Sequence, residues 1–516
     1  VSNDRDVIII GSGIGGLCAG ALLARYGFQV TVCESHTIPG GAAHGFERDG
    51  YLFDSGPSLY SGLSAPSANP LRQVLDAIEE EVTCINYDTW GCWLPEGNFN
   101  MAVGAEQFCQ VLRELRGEKA VTEWRNLQEM MTPLGKASMA LPPTAVRSDW
   151  GILRTLLPFL PNLIQQGSHT LQLMGAFDRI RDQVISDRFL RNWLDLLCYL
   201  LSGLPANGTS AAEMAFMFAD WYRPNVKLDY PVGGSAALVE ALVRGLKKYG
   251  GELRLGATVA EILIEGKRAV GVRLKNGDTL KASKAVVSNA SVWDTLKLLP
   301  KNKIPQAFQK EKETIPQCPS FMHLHLGIDG TDIPETLPCH HIIVNDWEKG
   351  VTAPQNVVLV SIPSLLDPSL APSGKHVIHA YTPASEPYEL WEGLDRKSKA
   401  YQQQKEERSK VLWEAVSRVI PQVRDRAEVT LIGTPLTHER FLRRHRGTYG
   451  PAISAKTGFF PGATTPWQGL LCCGDSTFPG IGLPAVAASG AIAANSVASV
   501  EQHLQLLRDT GSLNQS

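Results

Sequence analysis

The chain of 516 residues contains no run of 18 or more apolar residues, so no segment of it reads as a membrane-crossing helix. The nearest approach, Trp150 to Ile164 (WGILRTLLPFLPNLI), is too short and is interrupted by Arg154, Pro158 and Pro161. Such a segment suits the plane of a membrane interface, with Trp, Leu and Phe inserted and Arg154 at the headgroups, or else a buried loop-helix. A basic excess is also absent. Lys and Arg number 49 against 52 Asp and Glu, a net charge of −3, and no Lys/Arg-rich run interleaved with aromatics occurs, which argues against nucleic acid as a partner. The ten cysteines form no CxxC pair, and the adjacent Cys472 and Cys473 suit neither a zinc knuckle nor a redox dithiol. Reduced, buried thiols in a reducing compartment are the expectation. GxSxG, HExxH and EF-hand patterns are missing, as are internal repeats and low-complexity linkers. What remains is a 44% hydrophobic, 20% charged chain, long enough for two or more domains with sizeable cores. It opens on Val1 rather than methionine, so something upstream is expected to have been removed or omitted, either a targeting peptide or merely residues beyond a chosen boundary.

Against that background one stretch stands out, Val7 to Glu34 (VIIIGSGIGGLCAGALLARYGFQVTVCE). Asp6 to Ile10 is a short apolar run suited to a buried parallel strand. Gly11, Gly13 and Gly16 supply a tight turn, close approach of backbone to a pyrophosphate, and close helix–strand contact. A helix through Leu17, Ala21 and Leu22 then aims its N-terminal amides at the phosphates. Gln29 to Cys33 reads as a second strand, and Glu34 at its end suits the two hydroxyls of an adenosine ribose, which disfavours NADP. A dinucleotide is therefore expected.

Next come Pro39-Gly40-Gly41 and the stretch Phe46 to Ser55. From about Leu71 to Arg223 the apolar spacing is mostly helical. Pro231 to Leu238 is a turn leading into a helix that ends near Lys248. Strands are expected at 252–255, 258–265, 269–274 and 285–287, with an Asn276-Gly277 hairpin turn, and again at 321–327, 357–362 and 376–381. Gln402 to Val419 reads as a charged helix, Gly469 to Gly474 as a strand, and Pro484 opens a small-residue helix. The fold class is α/β, a Rossmann-type domain with an inserted mixed α+β domain. The cofactor domain is expected at 1–70, 230–300 and 455–505, the substrate domain at 71–229 and 301–454, and a flexible tail at 506–516.

Cys472-Cys473-Gly474-Asp475 ends a strand on an acid, directly before Pro479-Gly480-Ile481-Gly482 and a helix. An acid so placed can hold a ribityl chain, and the helix points its positive end at a flavin pyrimidine. NAD has no ribityl chain, so FAD is the expected cofactor. With this block the chain resembles the carotenoid isomerase and phytoene-desaturase-type flavoproteins, most of all the isomerase branch, over its full length. The resemblance is carried by GSGIGG, PGGAAHGFERDGYLFDSGPS, YPVGGSAALVEAL, VVSNASVWDT, CHHIIVNDW, SIPSLLDPSLAP, GTPLTHERFLRRHRGTYGP and CCGDSTFPGIGLP. Gly56-Pro57 and Leu483-Pro484 look more like the desaturase branch. It implies cofactor contacts from Gly11, Gly13, Ile14, Gly15 and Gly16, from Glu34 and Ser35, and from Gly40, Gly41 and Ala42. Further contacts are implied from the backbone of Val259 and from Gly474, Asp475, Gly482, Leu483 and Pro484.

The same resemblance implies cis–trans isomerisation of a poly-cis carotenoid by reduced FAD, in a plastid, on a membrane surface. The alternatives are a carotenoid or terpenoid desaturase or oxidase using quinone or oxygen, and a non-catalytic isoprenoid carrier. The flavin does the chemistry, so no catalytic side chain is assigned; Glu439, in a charged cluster with His438, Arg440, Arg443 and Arg444, is the weak candidate. Asp54 reads as structural, and Tyr449 has no assigned role. His323 and His325 alternate on one strand and His340 and His341 are adjacent; both pairs read as structural, and no metal is assigned. The apolar segments 152–164 and 189–201 are the expected entrance for a polyene. Nothing in the pattern fixes an oligomeric state.

Overall fold

The computed structural model describes residues 4–56, 58–64 and 67–515. Pro57, part of the desaturase-like Gly56-Pro57 pair, lies outside them. The apolar runs VIII, VTV and AVV form the centre of a seven-stranded sheet. Its order is Glu252–Arg254, Val30–Cys33, Asp4–Ile10, Thr279–Ser288, Arg268–Leu274 and Val259–Glu265, with Leu470–Cys472 alongside Thr279–Ser288. The strands up to Thr279–Ser288, and Leu470–Cys472 beside it, pair in parallel; the last two strands return antiparallel. Alternation along the strands feeds two cores. Val7, Ile9, Val30, Val32 and Val287 pack under the helices Ile14–Arg25, Ser235–Lys248 and Leu483–Val497. Ile8, Ile10 and Val286 pack with Ile262, Val272 and Leu280 of the antiparallel return. Thr279–Ser288 was expected only at its apolar end, 285–287; its first half carries Lys281 and Lys284 and is strand because Arg268–Leu274 pairs with it.

A second seven-stranded sheet runs Ala427–Gly433, Ser320–Asp329, Lys375–Glu386, Val357–Ser361, His340–Val344, Thr89–Leu94 and Gly97–Ala102. Met322, Leu324, Leu326, Ile378 and Ala380 cover one face, against Leu412, Trp413 and Val416 of the helix Lys399–Val419. The opposite face, carrying His323, His325, His379 and Tyr381, turns toward the cofactor domain, where His325 bonds Asp54.

Three corrections follow. The helical region expected from Leu71 holds the strands Cys84–Tyr87, Thr89–Leu94 and Gly97–Ala102. Gly91 and Asn98 give these strands little intrinsic preference; partners across the sheet hold them, and a Cβ on Gly91 would stand 2.1 Å from the His341 ring. The helix Arg188–Ser202, expected to border a polyene entrance, is core instead, with Phe189, Trp193, Leu194 and Leu197 buried against Phe108 and Trp124. The tail expected from residue 506 begins inside the helix Val500–Asp509, where Leu506 and Leu507 are buried.

One charged pair anchors the second sheet to its helix. Glu386, 0% exposed, accepts from Arg408 Nε at 2.9 Å and Nη2 at 2.6 Å and from Trp391 Nε1 at 2.9 Å. Arg408→Met leaves that carboxylate buried without its cation, so stability is expected to fall by about 3–5 kcal/mol, read as a lower thermal unfolding midpoint.

Candidate functional site

Two glycine turns from opposite ends of the chain meet around one side chain. Asn289 closes the Thr279–Ser288 strand, its N–H donating to Ile10 O at 2.9 Å. A Cβ on Gly13 would lie 2.7 Å from Asn289 Nδ2, and one on Gly15 or Gly474 would lie 2.7 Å from Oδ1. The first turn has no room either, since a Cβ on Gly16 would stand 2.2 Å from Gly11 O. The helices Ile14–Arg25 and Leu483–Val497 cross so closely that a Cβ on Gly490 would meet Gly15 O at 2.3 Å. Glycine is thus required here by contact distance.

Neither crossing helix has a side-chain cap: the N-cap residues are Gly13 and Gly482, and no acid lies in either first turn. Elsewhere Asn69, Asp187, Ser210, Ser291, Ser398 and Ser499 cap helices, while Ala105–Arg116, Glu118–Ser138 and Gln306–Glu313 also lack a side-chain cap. Open N-terminal amides with a positive dipole suit an anion at the first helix and a negatively charged flavin edge at the second. Pro484, at the start of its helix, gives up an N–H that no helix bond needs.

Glu34 ends its strand beside the first turn. Its carboxylate accepts from Ser12 N at 2.9 Å, Ser12 Oγ at 2.7 Å, His36 N at 2.7 Å and Ser35 Oγ at 3.2 Å. The backbone of Ala257, two residues before Val259, donates to Glu34 O at 2.7 Å, so Val259 joins this corner. Gly40 N donates to Ser12 O at 3.0 Å, and a Cβ on Gly41 would be 3.1 Å from Gly13 Cα; both glycines have positive φ. Ala42 follows in the same turn. At the far end Asp475 pairs with Arg444 Nη2 at 2.5 Å, while Arg444 also donates to Thr448 O and, at 2.7 Å, to Tyr449 O.

The histidine face of the second sheet closes the site from above. His44 Nδ1 bonds Gly41 O at 2.7 Å, and the Phe46 and Phe53 rings meet His325 edge-on at 5.3 and 5.6 Å. Burial lowers the His325 pKa to about 4 and His438 to about 3, the latter helped by the nearby Arg444 cation; His323 and His379 fall well below the usual range, burial first and neighbouring imidazoles second. These rings are neutral at neutral pH. Asp54 caps the helix Ser235–Lys248 through Ser235 N at 2.8 Å and Ser235 Oγ at 2.7 Å, and accepts from Tyr230 at 2.9 Å. Burial raises its pKa, those bonds opposing. Glu439 accepts from Tyr388 at 2.8 Å, while its neighbour His438 turns to His323. Tyr449 lies edge-on to Phe321 at 5.4 Å.

A family model described as flavin containing amine oxidoreductase matches residues 14–498. The chain belongs to that family, on its carotenoid isomerase and desaturase branch. It is 33% identical over 507 residues to prolycopene isomerase 2, chloroplastic, of an Oncidium hybrid cultivar, covering 96% of this chain and 84% of that one. Against the all-trans-retinol 13,14-reductase of Danio rerio the identity is 28%, covering 92% and 83%; against the neurosporene-forming phytoene desaturase of Cereibacter sphaeroides it is 26%, covering 96% and 95%. A putrescine oxidase redesigned in its cofactor binding shares the fold, with a TM-score of 0.64 at 15% identity over 96% of this chain and 99% of that one. The protein is accordingly a two-domain flavoprotein, and FAD is its cofactor. Two uncapped helix ends, an acid at the ribose corner and glycines with no space for a Cβ fit that group.

Asn289 and Ser12 were not singled out from the sequence, and Arg444 entered only as a member of the charged cluster around Glu439. Asn289 carried a signal, a polar residue at the carboxyl end of a parallel strand, where open α/β sheets bind ligands. Gly16→Ala is expected to yield protein purified without its yellow colour, checked as flavin absorbance per chain; retention of a full complement would contradict the contact geometry.

Proposed function

We propose that this protein is an FAD-dependent cis–trans isomerase of poly-cis carotenoids, acting with reduced flavin at the membrane surface of a plastid. The single observation that carries the reading is 33% identity to plant prolycopene isomerases over 96% of the chain. On this reading Gly11, Gly13, Ile14, Gly15 and Gly16 hold the diphosphate and Glu34 and Ser35 the adenosine ribose. Gly40, Gly41 and Ala42 follow the ribityl chain, Val259 meets the adenine, and Gly474, Asp475, Gly482, Leu483 and Pro484 face the flavin. Reduced flavin, when bound, supplies electron density or a proton that lowers the order of one double bond. The chain's own residues orient the polyene, exclude water and hold neutral imidazoles over the site, where fixed dipoles act strongly. Glu439, engaged by Tyr388, would act only on the outer side of His438.

A carotenoid burying about 800 Å² of apolar surface gains roughly 20 kcal/mol on leaving water. Such a substrate comes from a membrane. The segment 150–164 supports docking there: Trp150 is 88% exposed, Ile164 77%, Leu153 64% and Leu157 58%, and the one charge among them, Arg154, pairs with Glu501. Phe159, by contrast, is buried with Ala145 and Leu507 and holds the segment to the body. No helix among the described residues is long and apolar enough to cross a membrane.

Incubation with a poly-cis carotenoid, flavin first reduced and then oxidised, is expected to give a product of unchanged mass and altered absorbance under reducing conditions only. Loss of hydrogens would establish the desaturase reading instead, and gain of hydrogens a reductase like the Danio rerio relative. Changing Trp150, Leu153, Leu157 and Ile164 together to Asp is expected to abolish flotation with liposomes while leaving flavin content unchanged; undiminished flotation would remove this segment as the docking surface.

A further inference from the structure

His438, His323 and His379 are joined end to end on the buried face of the second sheet. His438 Nε2 lies 2.5 Å from His323 Nε2, and His323 Nδ1 lies 2.8 Å from His379 Nε2. The ring centroids are 4.6 and 5.1 Å apart with planes within 15° and 14°, so each centroid separation exceeds its N···N distance by two ring radii. The rings therefore sit edge to edge in nearly one plane, as straight N–H···N hydrogen bonds require, and are not stacked face on face. Nitrogens bound at about 2.0–2.1 Å to one tetrahedral ion would stand about 3.3 Å apart, farther than either pair does.

We propose that His438, His323 and His379 form a proton relay between the half-buried rim at His438 and the buried Nδ1 of His379, and that this relay delivers a proton to the polyene and takes it back. The role of the proton rests on the isomerase reading; the relay itself rests on the geometry. Exposure falls along the row, from half-buried His438 to His323 and His379 at 3% each. His379 Nδ1 is buried and has no hydrogen-bond partner among the described residues, so the row has an open inner end. Ser361 and Leu359, which pair across the sheet with His379 and Tyr381, line a small cavity with Ser58, Leu59, Trp90 and His340; His379 itself is not among the residues that line it. His325 fixes the His379 plane by stacking on it at 4.3 Å and 6°, while its own Nε2–H donates to Asp54 O at 3.0 Å.

The proton count closes. In one tautomer pattern His438 donates to His323, His323 donates to His379, and His379 Nδ1 carries a hydrogen. A proton arriving at His438 Nδ1 shifts both hydrogen bonds, and the His379 Nδ1–H bond breaks as a C–H bond forms on the polyene. The three rings stay neutral and hold the opposite pattern. Removal of a proton from the polyene by His379 Nδ1 runs the row backward and restores the first pattern. Nothing is oxidised or reduced along the row. An isomerisation, which neither gains nor loses protons, uses each direction once. Burial, which holds all three imidazoles neutral, keeps one donor and one acceptor on every ring.

Nitrogen NMR of the holo-protein labelled with heavy-nitrogen histidine tests the relay without turnover. Correlations across hydrogen bonds are expected to link His323 with both His438 and His379; their absence, or one equivalent of a transition metal per chain, would overturn the proposal. In kinetics His438→Gly is expected to lower isomerisation about a hundredfold at unchanged KM, with added imidazole restoring about tenfold. His323→Phe should show the same loss without rescue. A His438→Gly variant at the wild-type rate would sink the relay. Intact correlations in a protein that isomerises no carotenoid would sink the isomerase reading and uphold the relay.

Discussion

The contact between Asn289 and the glycines around it is the constraint on which the rest depends. One side chain stands within van der Waals reach of Gly13, Gly15, Gly16 and Gly474, so two loops 460 residues apart share a single wall. The close crossing at Gly490 and Gly15 keeps the two helices from sliding, and packing this dense admits few intermediate positions.

The second sheet shows how one strand pattern serves two chemistries. Met322, Leu324 and Leu326 point to an apolar core, whereas His323 and His325, one residue out of phase, point to the site. Burying imidazoles costs free energy unless they are neutral and bonded. Here that cost is offset by bonds from ring to ring and to Asp54, the residue that also caps a helix of the cofactor domain. The two domains are thereby coupled through a polar contact of fixed geometry rather than through apolar packing alone.

Much of the cofactor half was legible in the sequence because its cues are local. VIIIGSGIGG and the closing CCGDSTFPGIGLP carry strand, turn and helix start within a few residues, and the structure puts them together. The second sheet was legible where apolar alternation was strong, at Phe321 to Gly327, and not at Thr89–Leu94, which is held between its hairpin partner Gly97–Ala102 and His340–Val344, about 250 residues away. The contacts of Asn289 with both glycine turns, and of His438 with His323, were illegible for the same reason. An asparagine after a strand and a histidine in a charged helix acquire meaning only through neighbours distant along the chain. The apolar helix at Phe189 to Leu201 shows the converse, since apolar spacing alone does not distinguish a core from a passage.

Leu470–Cys472 pairs with the apolar end of Thr279–Ser288, next to the first strand. During synthesis this place in the sheet stays empty until residues 470–472 have left the ribosome. Until then Val286 and Val287 lack their neighbour, although they lie next to the strand that precedes the nucleotide turn. A truncation before residue 470 removes the strand that pairs with Val286, Val287 and Ser288 and the helix Leu483–Val497 that crosses Ile14–Arg25.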